Sequence, residues 1–190
     1  MGMPNLAKTW TREQVQALPD DGNRYELVDG ELLVSPAPRW IHQTGVKRLL
    51  FLLDPYVLSN NLGTVQFAPA DLDLRAAQLV QPDLFVVPPI DGRRPTRWEE
   101  CGVPILIAEV LSPSTARHDQ ITKRRRYQRS GVPVYWVVDL DARLVEVWTP
   151  GDEKPGIVDG RLTWHPAGAA EALTIEVPAY ISAVWAEYGS

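Results

Sequence analysis

The chain has 190 residues, 45% of them hydrophobic and 23% charged, and a formal net charge of −5. This balance is that of an ordinary globular domain, long enough to bury a core, and it excludes a strongly basic protein that coats nucleic acid through many Lys and Arg contacts to phosphate. Cys101 is the single cysteine, which excludes an intrachain disulfide and a Cys-based zinc site.

Residues 11–18 predict a short helix capped by Thr11 or Thr9 and ended near Pro19. Residues 24–34 predict a hairpin around Asp29-Gly30, a pair that tolerates positive φ in a two-residue turn. In that register Glu26 and Glu31 share a face with Val28 and Leu33. Ser35-Pro36-Ala37-Pro38 breaks the strand. Residues 40–60 predict a helix whose apolar side carries Ile41, Leu49, Leu52, Leu53, Tyr56 and Val57, with Pro55 as a kink or a second start. Short strands follow at 64–67 and 71–74, and Asp83 opens another. Residues 88–102 form a polar loop with Arg93, Arg94 and Arg97.

Residues 103–111 are apolar almost throughout, as in a strand covered on both faces. Ser112-Pro113-Ser114-Thr115 signals a helix start. That helix runs to about Ser130 and stops at Gly131, with basic residues in its last turns. Strands are expected at 134–138 and 144–148, edge strands near 161–164 and 173–177, and a short helix at 181–188. No repeat or linker divides the chain. The expectation is one α/β (α+β) domain over 1–190 with a central mixed sheet flanked by helices, the core at about 20–150 and strands and a short helix at 151–190. No window approaches the ~20 apolar residues of a membrane span. Residues 1–11 lack a secretory signal pattern, so a cytoplasmic protein with no membrane partner is expected.

Two carboxylates stand where carboxylates are costly. Asp83 follows Pro82 at a strand start, and Glu109 lies inside the apolar run 105–111. A buried acid needs a partner, and two on neighbouring strands repel unless a cation or a proton lies between them. Oxygen ligands of this kind suit Mg²⁺, with Mn²⁺ as a second choice. Such an ion activates water and grips phosphate. Beyond them, Asp119, Lys123 and Tyr127 are spaced i, i+4, i+8 on one helix face. The helix starts just after the Glu109 strand, so Lys123 can point back to Glu109. Asp119 equally reads as an ordinary helix partner of Lys123. Lys123, Arg124, Arg125, Arg126 and Arg129 read either as a solvated helix face or as a DNA contact. Trp136 and Trp148 read as core residues, and Trp164 and Trp185 as exposed residues marking a dimer contact. Cys101 has no histidine near it in sequence, and no Gly-rich phosphate loop is present.

Several stretches in order carry a resemblance: Tyr25-Glu26-Leu27-Val28-Asp29-Gly30-Glu31, His42 at a helix start, Pro82-Asp83, and Glu109-Val110-Leu111-Ser112-Pro113-Ser114-Thr115. Asp119, Lys123, Tyr127 and Gly131-Val132-Pro133-Val134-Tyr135-Trp136-Val137-Val138-Asp139 continue it. Over about residues 20–150 the chain resembles the Uma-type restriction endonucleases, a branch of the PD-(D/E)XK nuclease superfamily. The resemblance implies a restriction endonuclease-like core, Mg²⁺ held by Asp83 and Glu109, and Lys123 orienting water or stabilising charge on phosphate. It departs from the superfamily pattern at Leu111, where a lysine is usual; Lys123 on the following helix matches a relocated lysine. Glu31 is expected to complete the metal shell, with Glu26 competing for that role, and His42 to orient a phosphate or a water.

The expected activity is Mg²⁺-dependent phosphodiester hydrolysis, with DNA as substrate and a homodimer as the assembly. A first alternative is a nuclease fold without catalysis that binds nucleic acid or protein, favoured by Leu111 and the acidic charge. A second is a metal-free hydrolase using the two carboxylates as acid and base, for example on a glycoside. The basic helix beside the carboxylates fits that second alternative poorly.

Overall fold

The computed structural model describes residues 9–74, 79–112 and 118–189. Six strands form the central sheet: β3 (Thr64–Phe67), β4 (Leu84–Val87), β5 (Leu106–Val110), β6 (Tyr135–Asp139), β7 (Leu144–Trp148) and β8 (Gly156–Val158), in that spatial order. All neighbours are antiparallel except β5 and β6, which are parallel. A parallel pair needs a crossover, and it is made by a π-helical turn, His118–Lys123, that runs on into α3 (Arg124–Arg129). The first hairpin is a separate two-stranded sheet, β1 (Arg24–Val28) and β2 (Glu31–Ser35), and β9 (Arg161–Trp164) and β10 (Leu173–Glu176) form another.

Alternation along the strands divides the core in two. One face of the sheet carries Leu84, Val86, Leu106, Ala108, Val110, Trp136 and Val138 against α2 (Trp40–Ser59) and α4 (Val177–Tyr188). The other carries Phe85, Val87, Ile107, Tyr135 and Val137 against Val28 and Leu33 of the hairpin and Tyr127 of α3. All five residues of β5 are buried, as a strand covered on both faces requires. A capping box at Thr11 and Gln14 starts α1 (Arg12–Gln16), whose Val15 packs on Leu27 and Leu79.

Several expectations hold and several change. Asp29 and Gly30 both have positive φ and make the expected hairpin turn. Pro55 lies inside one uninterrupted helix, and Leu52 of its expected apolar side faces outward. Residues 71–74 form no strand; Leu72 makes one isolated bridge to Val80. The last helix begins four residues before the expected 181, at Val177, with a proline in its first turn. Trp136 and Trp148 are core residues as expected, but Trp164 is not exposed: it is 4% accessible and stacks edge-on against Trp136. Trp185 packs on the same core and donates to the Leu140 carbonyl. The expected exposure is thus absent at Trp164 and only partial at Trp185. The segment 113–117, expected to start the crossover helix, lies outside the described residues. No helix among the described residues is long and apolar enough to cross a membrane.

Candidate active site

Glu109, two residues after Ile107 in β5, shares its face and so points to the hairpin and α3 rather than α2. Asp83 precedes the antiparallel neighbour, β4, at the same end of the sheet. The two acids meet there. The Asp83 amide donates to Glu109 Oε2 at 3.2 Å, and the Val110 amide donates to Asp83 Oδ2 at 3.0 Å. Asp83 is 3% accessible and Glu109 1%. A charged acid is buried this deeply only when it is paired, and hydrogen-bond donors converge from three elements.

The crossover helix brings Lys123. Its Nζ lies 3.2 Å from Glu109 Oε1 and 3.0 Å from Glu26 Oε2. One turn on, the Tyr127 hydroxyl donates to the same Glu109 Oε1 at 2.9 Å. The expected shared face of Lys123 and Tyr127 is therefore present and points at Glu109. The Asp119 side chain lies outside what is described. From α2 comes His42, whose Nε2 is 2.9 Å from Asp83 Oδ2. An ionised carboxylate can only accept, so Nε2 carries the hydrogen of this bond. The opposite ring nitrogen, Nδ1, is buried without a hydrogen-bond partner among the described residues. Asp83 stands at the rim of the sheet, where a residue from the helix layer can reach it. From β1 comes Arg24, whose two terminal nitrogens both donate to Asp83 Oδ1 at 3.0 Å and one of which also reaches the Gln81 carbonyl at 3.1 Å.

Burial pushes the Asp83 carboxyl upward, but the His42 hydrogen bond and the charges of His42, Arg24 and Lys123 outweigh it and hold it well below the usual carboxylate range. Burial likewise works against the Arg24 charge, and Asp83, Glu26 and Glu109 more than compensate, so the guanidinium is held above its ordinary value. The cluster is a closed set of opposite charges in a water-poor site.

Asp83, Glu109, Lys123 and His42 are thus brought together. Glu31 is not. The hairpin register pairs it with Val28 and leaves it on the shared face, as expected, but exposed beside the turn. Glu26, opposite Leu33 in the same register, is fully buried and is the hairpin carboxylate that joins the cluster, through Lys123. Its Oε1 accepts from the Gln81 amide at 2.8 Å. Two partners had no assigned role in the sequence reading, Arg24 and Tyr127. Arg24 was within reach of it, because residues i and i+2 of a strand share a face and Glu26 was already a candidate.

Part of the basic run makes internal contacts. Arg124 lies over the Trp148 ring at 4.3 Å. Arg126 donates to the Leu74 carbonyl, and Arg129 pairs with Asp29 at 2.6 Å. Arg125 is exposed. Arg93, Arg94 and Arg97 lie in the loop after β4, whereas Asp83 precedes that strand.

Among the described residues, no three or more His, Cys, Asp or Glu side chains gather as a metal shell. Two hard carboxylates from adjacent strands nevertheless fit an ion such as Mg²⁺, which keeps several waters and takes one or two protein carboxylates plus phosphate oxygens. Asp83 Oδ1 and the Glu109 carboxylate are the donors that would hold it.

A mixed six-stranded sheet with two buried acids at one strand end and a lysine from the crossover helix defines a nuclease-type α/β fold. The chain belongs to the Uma2 family, described as "Putative restriction endonuclease", whose profile matches residues 12–177. It is similar to a crystal structure described as "a putative nuclease" from Anabaena variabilis, with a TM-score of 0.71 and 19% identity, covering 92% of this chain and 99% of that one. At that identity the likeness shows the fold. No curated protein matches the chain.

Proposed function

We propose that this protein is a divalent-metal-dependent nuclease that hydrolyses phosphodiester bonds in DNA. The observation that carries the reading is the buried trio Asp83, Glu109 and Lys123, with the lysine delivered onto Glu109 by the helix that follows it. Asp83 and Glu109 would hold Mg²⁺ or Mn²⁺. Such an ion, when bound, polarises a phosphate oxygen and acidifies water. Lys123, shared between Glu26 and Glu109, is suited to orient an attacking water and to offset charge gathering on the phosphate. Tyr127 fixes the Glu109 carboxylate. His42 and the Val110 amide fix Asp83 Oδ2 and leave Oδ1 toward the ion. A symmetric pair of chains would set one such site on each strand of a duplex.

The test is nicking and linearisation of supercoiled plasmid in Mg²⁺ or Mn²⁺, with chelator as control, by the wild type and Glu109→Gln, both checked for folding by circular dichroism. The reading expects cleavage that vanishes in chelator and falls at least about a hundredfold in the variant. Cleavage that persists in chelator sinks the metal reading. A second reading, a nuclease fold used only for binding, is favoured by one observation: Arg24 and Lys123 already pair with the acids without an ion. Duplex binding with no cleavage under any metal would decide for it.

A further inference from the structure

We infer that Arg24 is an exchangeable cation: it holds Asp83 while the metal position is empty, then passes to the phosphate of the substrate when the ion takes its place. This rests on the nuclease reading above. The two oxygens of Asp83 are treated differently. Oδ2 is held from the protein side by His42 Nε2 at 2.9 Å and the Val110 amide at 3.0 Å. Oδ1 has Arg24 as its partner, and both terminal nitrogens of the guanidinium converge on that one oxygen. An arginine locked permanently to a carboxylate usually spans both oxygens in a two-pronged pair. Here the second prong is blocked, and the pair rests on one oxygen.

An ion bound to Asp83 through Oδ1 must displace Arg24 from it. A divalent ion and a guanidinium side by side would also repel. Arg24 is the most accessible member of the cluster. Its side chain is 19% accessible, against 4% for Asp83, 7% for His42 and 3% for Lys123. Among the described residues its other hydrogen bond is to the Gln81 carbonyl. It stands at the start of β1, at the edge of the cluster. A planar guanidinium suits the oxygens of a phosphodiester at least as well as a single carboxylate oxygen. Displacement from Asp83 therefore releases a phosphate ligand at the reacting centre. An arginine with a purely structural role would do neither.

The two halves of the exchange move opposite readouts in opposite directions. Mn²⁺ is titrated calorimetrically into the wild type and Arg24→Gln without nucleic acid, and plasmid cleavage is then measured at saturating Mn²⁺. Loss of the competing charge is expected to tighten Mn²⁺ binding by about tenfold. Loss of the phosphate ligand is expected to slow cleavage at saturating ion by about a hundredfold. Binding detected only in the variant would likewise support the exchange. Unchanged or weaker Mn²⁺ binding in Arg24→Gln, with the wild type binding normally, overturns the exchange and leaves the nuclease reading intact. Tighter binding with unchanged cleavage also overturns it. No Mn²⁺ binding by either protein removes the metal reading and the exchange together. If Arg24→Gln does not fold, Arg24→Lys decides. It keeps the charge but not the fork, and is expected to bind Mn²⁺ more tightly by a smaller factor; no change overturns the exchange.

Discussion

At the scale of single residues, the site is a problem of buried charge. Glu26, Asp83 and Glu109 are each nearly inaccessible, and their cost is met by Lys123, Arg24 and His42. Breaking such a set by removing one partner is far costlier than never having buried it. Lys123→Met strands two carboxylates at once, and a loss of about 3–5 kcal/mol in urea unfolding is expected. Adding Glu26→Gln to that variant should recover part of the loss, since one orphaned charge disappears. A double variant no more stable than Lys123→Met would show that Glu26 and Lys123 are not energetically paired. Asp83 gives a pH signature. Its carboxyl is held below the range it has in the unfolded chain, so the native state releases its proton first and gains stability as pH rises. That contribution is complete above the unfolded value near ~3.9 and is lost as pH falls through the depressed native value. Asp83→Asn should therefore flatten the acid limb of a stability-against-pH curve. An equally steep limb in the variant would place the titrating group elsewhere.

At the scale of elements, the sequence was legible wherever a local rule operates alone. Alternation and the Asp29-Gly30 turn fix the hairpin and its register. The apolar run fixes β5, and Gly131 stops α3 after its Ser130 cap. The i, i+4 spacing of Lys123 and Tyr127 was enough to send both to Glu109. Less legible was which hairpin carboxylate would be covered. Glu26 and Glu31 share a face, and the choice is made by what lies over it, Lys123 and the Gln81 amide. The strand expected at 71–74 failed because alternation does not supply a partner strand. The tryptophans of the tail were misjudged for a related reason: β9, β10 and α4 cover the sheet, which local patterning does not reveal.

Two glycines at element boundaries sharpen the same point. Gly63 (φ +126°) enters β3 beside the end of β4, and a Cβ there would stand 1.9 Å from the Val87 carbonyl oxygen. Gly131 (φ +78°) has open space around the same position. Gly131→Ala should cost only the left-handed backbone penalty, about 1–2 kcal/mol, whereas Gly63→Ala must also break the approach of β3 to β4. Thermal melts of the two variants should differ clearly, with Gly63→Ala lower; equal melting would mean that β3 can shift without cost.

At the scale of the whole molecule, the question is how a chain of net charge −5 engages a polyanion. Many of its cations are committed internally. Arg12, Lys47, Arg48 and Arg161 pair with surface acids, Arg24 and Lys123 with the buried ones, and Arg126 and Arg129 with Asp29. Arg93, Arg94 and Arg97 are exposed in the loop that follows β4. Among the described residues this leaves few cations outside such pairs, Arg39 and Arg125 among them. Binding should depend on the metal-bridged contact at the acids more than on a basic surface. Anisotropy of a short labelled duplex in Ca²⁺ should then give a shallow dependence of log K on log salt, shallower than about −4 at roughly −0.9 per phosphate neutralised. Affinity should also collapse when Ca²⁺ is chelated, because the acids alone repel phosphate. A slope steeper than about −6 that survives chelation would mean that DNA is held by a basic surface, and the metal-bridged contact would lose its place as the main anchor.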